Sequence, residues 1–355
     1  MGRLRVGLDY AILPLFLACA LGGTYALLAA KLPSTAVIGL VMGSLAALAA
    51  ILERVRPQRH DYVALDQPLP TELAHYLFNY NLGYVLAIVP ITLLDTELGR
   101  RMAPSLWPSS SPLAVQIALA GVLGEMLSYW QHRLVHRIPW FWRFHSLHHS
   151  GSRMNVARGA RFHFVDIAPA LFFVLFPLVL LRAPEEILTW TATLCGSLGV
   201  IEHSNIRLVT PQWLDRILCT PAVHRYHHSR DRAESDGNFG TAVMLFDHLF
   251  GTYVQPSGAG PAEVGIAQDT TRPGFAAQML DPFYSGLALL NSRPRWFPRA
   301  PSKSTKACTR SAWPEDLPGS CRSAEEAGRT FVSADEVVQV GACAESSVAP
   351  AERTA

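Results

Sequence analysis

YAILPLFLACALGGTYALLAA, residues 10–30, carries no charged side chain over 21 positions. At 1.5 Å of rise per residue, a helix of that length crosses a hydrocarbon core of about 30 Å. Arg3 and Arg5 precede it, as they would in a signal peptide. The run is longer than the usual apolar stretch of such a peptide, however, and a second run follows at once. STAVIGLVMGSLAALAAIL, residues 34–52, is again free of charge, and only Lys31, Leu32 and Pro33 separate the two. The pair reads as an uncleaved transmembrane hairpin, and it sets the expected fold class: an all-α integral membrane protein.

Composition agrees. Of the 355 residues, 50% are hydrophobic and only 16% charged, against about 25% charged in an average soluble domain. The mean hydropathy is +0.19. A net charge of +2 is too small to argue for a nucleic-acid partner. The six cysteines are scattered, with no zinc-ribbon or redox-pair spacing.

Working outward, Arg54, Arg56 and Arg59 follow the first hairpin and match Arg3 and Arg5 on the same side. The positive-inside rule places that side in the cytoplasm. A second hairpin is expected from 72–94 and 112–131, and a third from 166–181 and 184–203, giving about four to six transmembrane helices. The third is short, and Pro177 interrupts LFFVLFPLVLL, residues 171–181; such segments can be re-entrant. Residues 132–165 and everything after 203 then lie in the cytoplasm. The expected organisation is a transmembrane hairpin over 1–60, a linker and transmembrane region over 61–119, a histidine-rich region over 120–255, a cytoplasmic segment over 256–299 and a disordered tail over 300–355, where Pro, Ser, Ala and Glu dominate.

Eight of the 13 histidines fall in three groups: His132 and His136 in HRLVH; His145, His148 and His149 in HSLHH; His224, His227 and His228 in HRYHH. Residues three or four apart share a helical face, so each group is expected to offer two or three imidazoles to one point. Eight buried imidazoles would each need a polar partner, which makes packing a poor account of them. Neutral imidazole is a ligand for first-row transition metals. His163 and His203 lie between the groups and are candidates to complete the shell, whereas His60, His75 and His248 fall outside the pattern. So many imidazoles exceed the needs of one ion and imply two. A nitrogen-rich pair with open positions suits iron handling dioxygen, while zinc used in hydrolysis stays open as the alternative.

The surrounding residues add a resemblance. EMLSYWQHRLVH (125–136), PWFWRFHSLHHS (139–150), EHSNI (202–206) with TPAVHRYHHS (220–229), DGNFG (236–240) and FDHLFGTY (246–253) together resemble the fatty acid hydroxylase superfamily, which includes sterol desaturases and alkylglycerol monooxygenases. The likeness covers about 120–255. It implies a membrane-bound di-iron oxygenase with two iron ions under the cytoplasmic face, held by His132, His136, His145, His148, His149, His224, His227 and His228, with the intervening family histidines matching His163 and His203. Two positions depart from the pattern. Phe164 follows His163 where members with the RxHP motif have proline, and Phe246 and His248 flank Asp247 in place of the usual tryptophan and arginine.

The activity implied is hydroxylation of an unactivated C–H bond of a lipid (fatty acyl, sterol or related) with dioxygen and external electrons. A desaturase on the same scaffold is the alternative, since both reactions share the oxidant. The di-iron centre carries the chemistry, so no separate protein acid or base is expected. Glu125, Asp166, Glu202 and Asp236 are candidates to orient imidazoles. Lipid is expected to enter from the bilayer. Electrons are expected from a separate donor of cytochrome b5, ferredoxin or flavoprotein type, because the chain shows no haem module, nucleotide-binding glycine motif or ferredoxin cysteines. A histidine-rich metal transporter would place ionisable residues in mid-span, whereas these boxes sit at span ends.

Overall fold

A computed structural model describes residues 2–101, 104–257, 260–267 and 269–284. The expected disordered tail over 300–355 lies outside the described residues. Within them the fold is all-helical, with isolated β-bridges and no strand. Thirteen α-helices run in chain order: α1 (Gly2–Ala29), α2 (Ser34–Val55), α3 (Leu69–Ala74), α4 (Asn81–Arg100), α5 (Leu113–Arg137), α6 (Pro139–His149), α7 (Phe164–Leu180), α8 (Glu185–Glu202), α9 (Gln212–Asp215), α10 (Pro221–His227), α11 (Arg232–Ser235), α12 (Leu245–Leu249) and α13 (Phe275–Tyr284). A π-helical turn, His75–Tyr80, joins α3 to α4.

Four segments are long and apolar enough to cross a membrane: Gly7–Ala29, Ser34–Val55, Leu69–Arg100 and Leu113–Arg137. Helix α7, with 17 residues, is a shorter apolar helix that packs against both α4 and α5. The two members of the expected second hairpin therefore share α7 as a neighbour. Helix α8 packs against α1, α2 and α5. Two tight turns have the same build: Lys31 (φ 59°) precedes Pro33, and Arg182 (φ 55°) precedes Pro184. Each puts one residue in the left-handed region that ends a helix, followed by a proline that opens the next.

Polar contacts tie the spans to the histidine-rich region at one end. Asp9, buried near the start of α1, pairs with Arg56 after α2 and with Arg207 at 3.4 Å. Glu53 in the last turn of α2 accepts from the backbone N–H groups of Val156 (2.9 Å) and Asn205 (3.3 Å). The basic cluster read from the sequence is thus at the same end as the histidines.

Candidate metal centre

The fold splits the second and third histidine boxes between two groups and keeps the first whole. His132, His136, His145, His149 and His227 converge in one group, and His148, His203, His224 and His228 in another. Within each group the candidate ligand atoms all lie within 4.8 Å of one another. Helical geometry explains the split. His132 and His136, His145 and His149, and His224 and His228 are each four apart and share a face. His148 and His227, one position from a member of such a pair, point about 100° away. Each HH doublet therefore serves both groups, which locks the two together. Each box thus sends two imidazoles to one point, and the third histidine of the second and third boxes goes to the other group.

All nine side chains are buried, and hydrogen bonds fix several tautomers. Nδ1–H of His132 donates to the Phe239 carbonyl (2.7 Å), that of His227 to the Gly237 carbonyl (2.9 Å) and that of His203 to the Gly199 carbonyl (2.8 Å). The carboxylate of Asp166 accepts from His145 Nδ1 at 2.8 Å. A neutral imidazole that donates from Nδ1 has only a lone pair at Nε2. Yet Nε2 of His132 lies 3.2 Å from Nε2 of His145, and Nε2 of His149 lies 3.1 Å from the same atom. In the other group, Nε2 of His203 lies 3.1 Å from Nε2 of His148 and 2.9 Å from that of His224, which is 3.0 Å from Nε2 of His228. For His132 and His145, both of which donate from Nδ1, the two Nε2 lone pairs face each other and repel unless a cation sits between them. Nε2 of His136 and of His227 have no hydrogen-bond partner among the described residues. The donor set therefore fits a pair of metal ions held by nitrogen.

Electrostatics point the same way. Burial above all, then neighbouring imidazoles, holds His148, His149, His224 and His228 well below the ordinary histidine value. Burial takes His203 to about 4 and His227 to about 3. These rings are neutral near pH 7, the state in which imidazole binds metal.

The supports around the groups were only partly visible in the sequence. Of the four candidate carboxylates, Asp166 orients an imidazole directly. Glu125 instead accepts from the N–H groups of Thr241, Ala242 and Val243, at 2.9, 2.7 and 3.3 Å. Asp247 accepts from the N–H groups of Phe239 (2.9 Å) and Gly240 (2.7 Å) and from the Thr252 hydroxyl. These two carboxylates clamp the loop whose Gly237 and Phe239 carbonyls orient His227 and His132. A Cβ on Gly240 would come within 2.7 Å of the Val243 carbonyl, so a side chain there would spread the loop. Asp236 faces Arg232 at 3.6 Å. Glu202 lies beside His203 and His224.

Arg158, which sequence reasoning passed over, is fully buried and donates to the carbonyls of His148 (3.2 Å), His149 (2.6 Å) and Ser150. It caps the end of α6 at its two histidines. Phe162 stacks on His148 with 3.9 Å between ring centroids. His163 stands apart from both groups. It is the N-cap of α7, its Nδ1 accepting from Val165 N–H (3.2 Å), and it packs against Phe144 and Phe164. His248 donates to the Arg216 carbonyl (3.0 Å), and His75 bonds Gln278 (2.6 Å) and Asn79 (2.9 Å); neither belongs to a group.

Comparison with known proteins adds the following. A family profile described as fatty acid hydroxylase matches residues 117–252. An ornithine lipid hydroxylase of Rhizobium tropici is 33% identical over 246 residues, covering 68% of this chain and 73% of that protein. Human alkylglycerol monooxygenase is 28% identical over 157 residues, 41% of this chain and 32% of its own length. A fatty acid hydroxylase of Lecanicillium is 28% identical over 153 residues, covering 39% of this chain and 42% of its own. No solved structure matches.

Proposed function

We propose, from the premise that this chain belongs to the fatty acid hydroxylase family, that it is a di-iron enzyme that hydroxylates an unactivated C–H bond of a membrane lipid. Membership makes it an oxidoreductase. The observation that carries the finer reading is the set of nine buried imidazoles in two interlocked groups, with the Nε2 lone pairs of His132 and His145 facing each other. When bound there, two irons supply the activation of dioxygen and the oxidation of the C–H bond. The chain's own residues hold and orient the metals. His132, His136, His145, His149 and His227 are the ligands of one, and His148, His203, His224 and His228 those of the other. Asp166 and the Gly237 and Phe239 carbonyls keep the rings of His145, His227 and His132 in one tautomer. No protein acid or base is required.

The histidine groups share an end of the molecule with Arg54, Arg56 and Arg59, which supports a cytoplasmic active site under the positive-inside rule. Lipid enters laterally from the bilayer, and electrons come from a separate donor protein. Ornithine lipids are the first substrates to test, because the relative bearing that name aligns over 68% of this chain. The test is metal analysis of the purified protein, combined with lipid analysis of expressing cells grown with and without oxygen. Two irons per chain and a hydroxylated lipid formed only with oxygen are expected. Zinc as the native metal, or a product formed without oxygen, would overturn the reading.

A further inference from the structure

The face of α5 turned away from the histidines is apolar and open. Met126, Trp130 and Leu134 lie four apart on it, and all three are exposed. They belong to the candidate span Leu113–Arg137, so acyl chains are the natural cover for this stripe. The apolar surface does not stop where the span ends. The Phe250 ring, just after α12, lies 4.8 Å from that of Trp130. Leu245 and Leu249 extend it along α12 at 44% and 64% exposure, while Phe246 and Asp247 of the same helix turn inward and are buried. Helix α12 is tied in turn to the segment after α9: His248 donates to the Arg216 carbonyl (3.0 Å) and Met244 N–H to the Ile217 carbonyl (2.9 Å). There Trp213 and Ile217, again four apart, are 63% and 53% exposed. An apolar surface therefore runs from a span onto two helices that are themselves too short to cross a membrane.

The exposed charge on this surface has one sign. Over 126–138, 212–218 and 244–253 the carboxylates are Asp215 and Asp247, and both are buried. Arg133 donates to the Tyr129 hydroxyl (3.0 Å) and lies over the Trp130 ring, and Arg216 donates to the Gln255 side chain (3.3 Å). These partners are neutral, so both guanidiniums keep their charge for an external anion. Contiguous exposed apolar surface with a polar rim marks an interaction site. An apolar outer face with cationic flanks is how a helix lies in the headgroup layer of a bilayer, and Trp130 and Trp213 are the residue type enriched at that depth. Continuity with the open stripe of a span favours the bilayer over a soluble partner.

We propose that α12 and the end of α9 rest on the bilayer beside α5, with Trp213, Ile217, Leu245, Leu249 and Phe250 among the acyl chains and Arg133 and Arg216 at anionic phospholipid headgroups. Asp247 of this same helix clamps the loop that orients His132, so this side of the five-histidine group is the one turned to the membrane. The placement does not depend on which metal the histidines hold.

The test puts the photo-crosslinking residue benzoylphenylalanine in place of Leu249 or Trp213 in the full-length protein. Irradiation is carried out in cells and in nanodiscs of phosphatidylcholine and phosphatidylglycerol in equal amounts, and adducts are identified by mass spectrometry. Both positions are exposed and lie on separate elements, so a local defect at one leaves the other to decide. Phospholipid adducts are expected at both, and none with the label in place of Asp231, an exposed polar position. At Trp213, phosphatidylglycerol should exceed phosphatidylcholine by up to about fivefold, the effect of one arginine at the surface, and Arg216→Gln should bring the two toward equality. A second copy of this chain, or another protein, as the adduct in cells would overturn the proposal. So would the absence of phospholipid adducts at both positions in nanodiscs, or an equal yield at Asp231. Equal capture of the two lipids before Arg216 is changed would overturn the choice of an anionic surface.

Discussion

The two histidine groups are built from the same boxes, yet they are held differently. In the five-histidine group the supports lie behind the rings: His132, His227 and His145 each donate from Nδ1, two to carbonyls of one clamped loop and one to Asp166. The unpartnered nitrogens are at the front, Nε2 of His136 and His227. In the four-histidine group this is reversed. Among the described residues, His148 and His228 have no partner at Nδ1, and His224 has at its rear the Cys219 sulfur at 3.7 Å. Of that group only His203 is fixed by a strong acceptor, a carbonyl of its own helix. Three of five rings in one group are held from behind by hydrogen bonds, against one of four in the other.

The largest effect expected from that difference is seen by removing one ligand from each side. His136→Ala and His228→Ala should both reduce turnover to background, because both take a ring from a buried cage. They should differ in what metal analysis and spectroscopy report: each variant disturbs the signal of its own ion first. His60→Ala, at an exposed position, should behave as wild type. Equal loss of both irons in both variants would mean that the two groups bind as one unit, and the contrast would vanish.

A smaller and more selective effect should come from the clamp. Asp247→Ala leaves the N–H groups of Phe239 and Gly240 without their acceptor in the interior. Unsatisfied buried groups cost about 1–3 kcal/mol each, so a loss of about 2–6 kcal/mol in stability is expected in detergent denaturation. The same loop carries the acceptors for His132 and His227, so iron loss should begin in the five-histidine group. Loss beginning in the other group would show that the loop does not govern the rings it touches.

How much of this was legible beforehand follows from what kind of information each feature carries. The spans at 10–30 and 34–52 declare themselves because hydrocarbon excludes charge, a rule that acts on composition alone. The histidines were legible as a set, since packing has no use for so many. Their division was not legible: spacing of four gave the shared faces, but the one-residue offset that sends His148 and His227 to opposite groups needs helices α5, α6 and α10 placed in space. His163 had the right neighbours in sequence and stands apart because the backbone uses it as the cap of α7. The roles of Arg158, Glu125 and Asp247 were invisible, because their partners are backbone atoms, which have no letter in the sequence.

The smallest expected effect tests the looser group most directly. His148 has no hydrogen bond at Nδ1 to set the plane of its ring. What sets it is Phe162, stacked 3.9 Å away at an interplanar angle of 12°, together with the position of its backbone under Arg158. Aromatic pairs of this kind contribute about 0.5–1.5 kcal/mol beyond their buried area, equivalent to about twofold to tenfold in an equilibrium constant. Phe162→Leu keeps an apolar side chain at the site and removes the stack. It should therefore leave folding and the five-histidine signal unchanged, while weakening iron retention at the four-histidine group by about that factor and broadening its Mössbauer doublet. Trp142 makes the corresponding contact with His136 on the other side, at 5.0 Å and a tilt of 53°. Because three of the five rings in that group are anchored through Nδ1, Trp142→Leu should change retention less. If the two substitutions act equally, ring orientation is set by the metals themselves, and the difference in how the protein holds its two groups has no energetic consequence.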